Sequence, residues 1–168
     1  MDSSSFEAPV NWADNYGTRM HGYLFIHTSG TYTFTIAGDD QSELWLGTNT
    51  DPASMQKIAY VDGWTNYIEW DKYESQRSAG ISLIAGQKYY IQVLQKEAYG
   101  RDSLSVAWEG SGISFQVIPG SVLNPYTNGA TTLMQQKRQL RRPYQIQQLI
   151  SLTCVVVLKI WRRCSLQI

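Results

Sequence analysis

The chain has 168 residues, long enough for one domain with a sizeable core. Aromatics make up 12 % and charged residues only 17 %, with 13 glycines, which excludes both a disordered chain and a heptad coiled coil. The formal net charge of zero hides a division: all 14 acidic residues and seven of the 14 basic ones lie within residues 1–126, giving net −7, while residues 127–168 carry the other seven basic residues and no acid, giving net +7.

In chain order, Met1 to Glu7 is polar and acidic, with neither the basic start nor the apolar core of a secretion signal. Gly22 to His27 reads as a strand. Thr31-Tyr32-Thr33-Phe34-Thr35-Ile36 alternates large apolar side chains with threonine, the period-two pattern of a half-buried strand. Thr28-Ser29-Gly30 is expected to join these two strands as a hairpin. Further short strands follow at Glu43 to Leu46, Gln56 to Val61, Ile81 to Ile84, Lys88 to Leu94 and Ser103 to Trp108. Tyr89, Ile91 and Val93 share one face of the long strand, and Trp45 and Trp108 are expected to fill the core. Short strands with turn signals between them, and no convincing helix, argue for an all-β sandwich or barrel.

Asn124-Pro125-Tyr126 marks the expected end of the domain, residues 1–126, and Thr127-Asn128-Gly129 a linker. Residues 127–168 form a basic, glutamine-rich and then apolar tail, expected to be disordered or loosely helical. Leu149 to Leu158 is its most apolar run. Ten residues are too few to cross a bilayer, which takes about 20, so no transmembrane segment is expected. Arg138, Arg141 and Arg142 would allow weak surface association. Cys154 and Cys164 have no nearby histidine and do not make a zinc site.

Three features carry chemistry. Asp39-Asp40, at the end of a strand, concentrates negative charge where oxygens can converge on a hard cation, calcium being the natural one; it is also ordinary turn chemistry. The loop Lys96-Glu97-Ala98-Tyr99-Gly100-Arg101-Asp102 offers Glu97 and Asp102. If the sandwich brings it beside Asp39-Asp40, four carboxylates meet that cannot all stay ionised without a cation. Otherwise the two acids are exposed, with Glu97 paired to Lys96 or Arg101. The segment Val61 to Trp70 holds Trp64 beside a glycine turn, where an exposed ring would suit the apolar face of a pyranose; core filling is the commoner fate of tryptophan. Catalysis finds little support. His21 and His27 flank a strand, no nucleophile motif or phosphate-binding glycine loop occurs, and adjacent carboxylates do not straddle a bond.

With these residues in view, the stretch from about Phe6 to Tyr126 resembles the protective-antigen (PA-fourteen) domain family. The matching pieces are Trp12-Ala13-Asp14-Asn15-Tyr16-Gly17, Gly30-Thr31-Tyr32-Thr33-Phe34, Gly38-Asp39-Asp40-Gln41-Ser42-Glu43-Leu44-Trp45-Leu46 and Ala85-Gly86-Gln87-Lys88-Tyr89-Tyr90, with the Lys96 to Asp102 loop leading into Val106-Ala107-Trp108. The resemblance implies an antiparallel, jelly-roll-like β-sandwich and a non-catalytic, lectin-like module from an extracellular or cell-surface protein. It implies a calcium site in which Asp39 and Asp40, joined by a cis peptide, act with the loop of Glu97 and Asp102, and the ion holds sugar hydroxyls. Trp64, Tyr99 and Arg101 are the expected sugar contacts. The expected partner is a glycan or polysaccharide, not nucleic acid. The alternative from the same fold is a structural or protein-interaction module without a sugar site. Two departures stand out: Ala98-Tyr99-Gly100-Arg101 replaces the run of glycines common in the family's second loop, and the family's usual strand upstream of Phe6 is lacking. The tail has no counterpart in the family.

Overall fold

The computed structural model describes residues 5–126; the expected tail at 127–168, with Cys154 and Cys164, lies outside the described residues. The strands are β1 (Gly17–Phe25), β2 (Gly30–Asp39), β3 (Ser42–Leu46), β4 (Gln56–Val61), β5 (Ile81–Leu83), β6 (Lys88–Lys96), β7 (Ser103–Gly110), β8 (Ile113–Val117) and β9 (Leu123–Pro125). They pair antiparallel in two sheets, one ordered β4-β3-β6-β1-β9 and the other β5-β2-β7-β8. The fold is an antiparallel β-sandwich. Among the described residues there is no α-helix, and none long and apolar enough to cross a membrane.

The alternation of β2 works as its pattern predicts. Tyr32, Phe34 and Ile36 are at most 1 % exposed and face Leu24, Leu44, Ile91 and Val93 across the sandwich core. Trp108 of β7 joins them, its ring stacked 5.4 Å from that of Tyr32. Burying such side chains supplies roughly 1.5–3 kcal/mol each, the main term holding two otherwise separate sheets together.

Three expectations are corrected. β1 and β2 do not form a hairpin: β1 pairs with β6 and β9, β2 with β5 and β7, and Thr28-Ser29 carries the chain from one sheet to the other. Alternation shows that one face of a strand is buried; it does not show which strand lies beside it, and sandwich connections commonly change sheets. Trp45 is only half-buried on the outer face of its sheet, its indole N–H donating to Glu43 Oε2 at 3.1 Å, whereas Trp108 does fill the core. β1 starts at Gly17 rather than Gly22, and β8 and β9 had no clear sequence signal; β8 is largely exposed and β9 has three residues. Residues 5–8 lie along the start of β7, Phe6 N–H donating to Ile118 O and accepting from Val106 N–H through its carbonyl.

The topology places the site. β2 and β7 are neighbours in one sheet, with Asp39 opposite Ser103, and β3 and β6 are neighbours in the other, with Ser42 opposite Gln95. The β2–β3 and β6–β7 connections therefore both cross between the sheets at the same end of the sandwich, side by side.

Candidate functional site

The first connection turns sharply. Gly38 sits where a Cβ would come within 2.4 Å of Ser42 Oγ, so only glycine allows β2 to fold directly back into β3. The Asp39–Asp40 peptide that follows is cis. Gln95 of β6 donates from Nε2 to the carbonyl of Asp39 and, at 3.3 Å, to that of Ser103, tying both connections to one buried amide.

The two connections are then bonded to each other. Asp40 N–H donates to Glu97 Oε2 at 3.1 Å, and Ala98 N–H donates to Asp40 Oδ2 at 2.9 Å. One carboxylate oxygen from each of Asp39, Asp40 and Glu97 falls within 4.8 Å of the others. Glu97 is 3 % exposed, and its Oε1 has no hydrogen-bond partner. The alternative pairing of Glu97 with Lys96 or Arg101 does not occur: among the described residues the ion pairs are Lys57–Glu43 and Arg77–Glu109.

Burial and crowding act together on these acids. Glu97 is pushed up to about 7, first by burial and then by the carboxylates of Asp40, Asp39 and Asp102. Asp39 is raised by burial and by Asp40, with Lys72 opposing. A cluster of acids that disfavours its own charge, with a buried oxygen lacking a donor, suits a hard cation with oxygen ligands; the residues fit calcium.

Asp102 stands apart from this triad. It is 1 % exposed, and its Oδ2 accepts from the N–H groups of Trp12 and Ala13 at 2.7 and 2.9 Å. It thus anchors a third loop, Asn11 to Tyr16, whose part in the site had no clear signal beyond the Trp12 to Gly17 motif. Asn15 N–H donates to Ala98 O, Glu97 N–H to Tyr16 O, and Gly100 N–H to Asp14 Oδ1 at 3.0 Å. Gly100, at φ 115°, provides the one left-handed turn in a loop otherwise without glycine. Tyr16, buried beside Asp102, holds its phenol proton well above the usual range, by burial first and the Asp102 charge second.

Around the triad, Arg101, Asp102, Asp39, Tyr67, Asn66 and Asn11 line an open cleft of about 300 Å³. Arg101 is therefore beside Asp39, as a shared site requires. Tyr99 projects from the Glu97 loop, 77 % exposed. Trp64 is exposed as expected but does not line the cleft, and the Lys72 ammonium lies 3.1 Å from its ring centroid while donating to its carbonyl at 2.8 Å. Trp12, 52 % exposed above the Asp102 anchor and edge-on to Tyr16, is an aromatic that the residue-by-residue reading did not single out.

Comparison with known families decides the relationship. The PA14 domain matches residues 1–120. The chain belongs to the PA14 domain family. Among relatives of this PA14 domain, a mouse (Mus musculus) N-acetyl-beta-glucosaminyl-glycoprotein 4-beta-N-acetylgalactosaminyltransferase 1 is 33 % identical over 127 residues, covering 71 % of this chain and 12 % of that protein. Mouse fibrocystin-L is 32 % identical over 96 residues, 57 % of this chain and 2 % of that protein. The chain thus spans a small part of the curated relatives it matches. Of solved structures, an anti-sigma factor domain-containing protein superposes with TM-score 0.54 at 25 % identity, covering 70 % of this chain and 36 % of that one. The A domain of epithelial adhesin 6 from Candida glabrata, in complex with Galβ1-3GlcNAc, superposes with TM-score 0.50 at 17 % identity, covering 66 % and 50 %, and shares the fold.

Proposed function

We propose that this PA14 domain is a non-catalytic, calcium-dependent carbohydrate-binding module that works outside the cell or at its surface. The observation that carries the reading is the triad: carboxylate oxygens of Asp39, Asp40 and Glu97 within 4.8 Å, with Glu97 Oε1 buried and unpartnered. An unpartnered carboxylate oxygen among like charges is costly unless a cation completes it. Membership of the family, and the disaccharide held by the adhesin domain of the same fold, support the ligand class.

On this reading Asp39, Asp40 and Glu97 hold the ion. When bound, calcium supplies a hard centre that coordinates hydroxyl oxygens of a sugar. The protein does the rest. The paired hydrogen bonds between Asp40 and the Glu97–Ala98 segment fix the spacing of the carboxylates. Asp102 holds the Trp12 loop beside them rather than serving as the nearest ligand. Arg101 and Tyr67 offer polar contacts from the cleft walls, and Tyr99 an exposed ring. Trp64 offers the ring face that Lys72 leaves open. Nothing in the cleft sets an acid and a base across a bond, so binding is the whole function.

Calorimetric titration with calcium, then with glycans in calcium or in chelator, tests the reading. Calcium binding and chelator-sensitive glycan binding are expected. A protein that takes up no calcium, or whose glycan binding ignores chelator, would instead be a structural or protein-interaction module of the same fold.

A further inference from the structure

A second groove lies on the outer face of the four-stranded sheet, away from the acidic triad. The segment from Trp70 to Ser78 crosses that face and pairs with β2, Thr35 bridging to Arg77 and Ser78 N–H donating to Phe34 O at 2.8 Å. Between this segment and β8 the surface is not filled. The walls are aromatic: Trp70 meets Phe115 edge-to-face at 5.6 Å, Phe115 is 41 % exposed, and Tyr73 stands at the rim, 36 % exposed. At the floor is Thr35, 2 % exposed, whose hydroxyl has no hydrogen-bond partner. A buried hydroxyl facing a groove without a partner is incompletely satisfied by the protein and wants a polar group from outside.

The polar groups at the rim identify the chemistry. Asp71 and Glu74 accept, and Arg77 donates while held by Glu109. A cationic guest would meet the Arg77 guanidinium, and an anionic one the two carboxylates. A neutral ring with one apolar face and hydroxyls that both donate and accept conflicts with neither. That description is a pyranose.

We propose that this groove is a second saccharide site, independent of calcium, in which the Trp70–Phe115 pair covers the apolar face of a sugar ring and the Thr35 hydroxyl takes one of its hydroxyls. It shares no residue with the Asp39–Asp40–Glu97 triad, so either site stands if the other fails. Two such sites would let one domain hold two points of a branched or extended glycan, and linked weak contacts add up to avidity.

The test is a titration of the ¹⁵N-labelled full chain in EDTA with methyl pyranosides of glucose, galactose, mannose and N-acetylglucosamine, followed by two-dimensional NMR. Saturable shifts of the Trp70 indole N–H and the Phe115 amide are expected with at least one of them. Thr35→Val, which keeps the side-chain shape and the fold, should weaken that binding roughly 2- to 10-fold, the worth of one neutral hydrogen bond. Trp70→Ala should abolish it, and Asp39→Asn should leave it unchanged. No saturable shift with any pyranoside in EDTA would overturn the proposal. So would shifts lost in Asp39→Asn, or affinity unaltered in Thr35→Val. Failure of the calcium site would appear separately, as absent calcium binding in the same protein.

Discussion

Asp40 and Glu97, 57 positions apart in sequence, are joined by a hydrogen bond from the Asp40 amide to Glu97 Oε2 at 3.1 Å, and Ala98 N–H answers it with one to Asp40 Oδ2. The bonds hold two like charges closer than they would otherwise settle. The main chain thus assembles a site that its side-chain charges oppose.

Removing one of those charges should separate binding from stability. Glu97→Gln is isosteric and neutral. It is expected to weaken calcium affinity by roughly 10-fold or more, while raising the melting temperature in chelator at pH 8, since it ends repulsion with Asp39 and Asp40. Calorimetry and thermal melts of the two proteins in parallel check both directions; a lower melting temperature in chelator would contradict the electrostatic account.

The pH dependence of the calcium-free protein follows from the raised Glu97. Its carboxyl is ordinary near 4.5 when unfolded and pushed up to about 7 when folded. Between those values the folded protein binds the extra proton, so this group's contribution to stability falls as pH rises from about 4.5 to about 7. Asp39, also raised, acts in the same direction. Calcium must displace the Glu97 proton, so its affinity should decline as pH drops below about 7. Denaturant melts across this range, in EDTA and in calcium, should show the two curves diverging as pH rises.

Asp102 is expected to behave as an anchor. Asp102→Ala strands the amides of Trp12 and Ala13, and should cost about 2–4 kcal/mol in urea unfolding, as for other charge-assisted bonds to buried carboxylates. Asp102→Asn keeps one acceptor and should cost less. Calcium affinity in Asp102→Asn should fall less than in Glu97→Gln; an equal fall would make Asp102 a direct ligand.

Among the ring and guanidinium contacts, position in the cleft should decide the order. Arg101→Ala, beside Asp39, and Tyr99→Ala should lower glycan affinity more than Trp64→Ala, because the Lys72 ammonium already occupies one face of the Trp64 ring. Trp64→Ala should still cost about 0.5–1 kcal/mol of stability through the lost cation–π contact. Glycan titration and urea unfolding of the three variants measure the two effects separately.

Much of this protein was legible before any fold was known. The alternation of Tyr32, Phe34 and Ile36 with threonines, and of Tyr89, Ile91 and Val93 in β6, requires strands with one buried face, because side chains on a strand point alternately to its two sides. The acidic body and acid-free tail were equally plain, and Asp39-Asp40 announced itself by local charge. Other features depend on partners distant in sequence. Whether β1 pairs with β2, whether Trp45 faces in or out, and whether Glu97 meets Asp40 while Asp102 turns to Trp12 are set by which strands become neighbours. Likewise, the Thr35 groove exists only because the Trp70 to Ser78 segment crosses β2. A sequence determines the face of each strand through local geometry. Only the packing of the two sheets, through contacts long in sequence and short in space, decides which acids converge and which part.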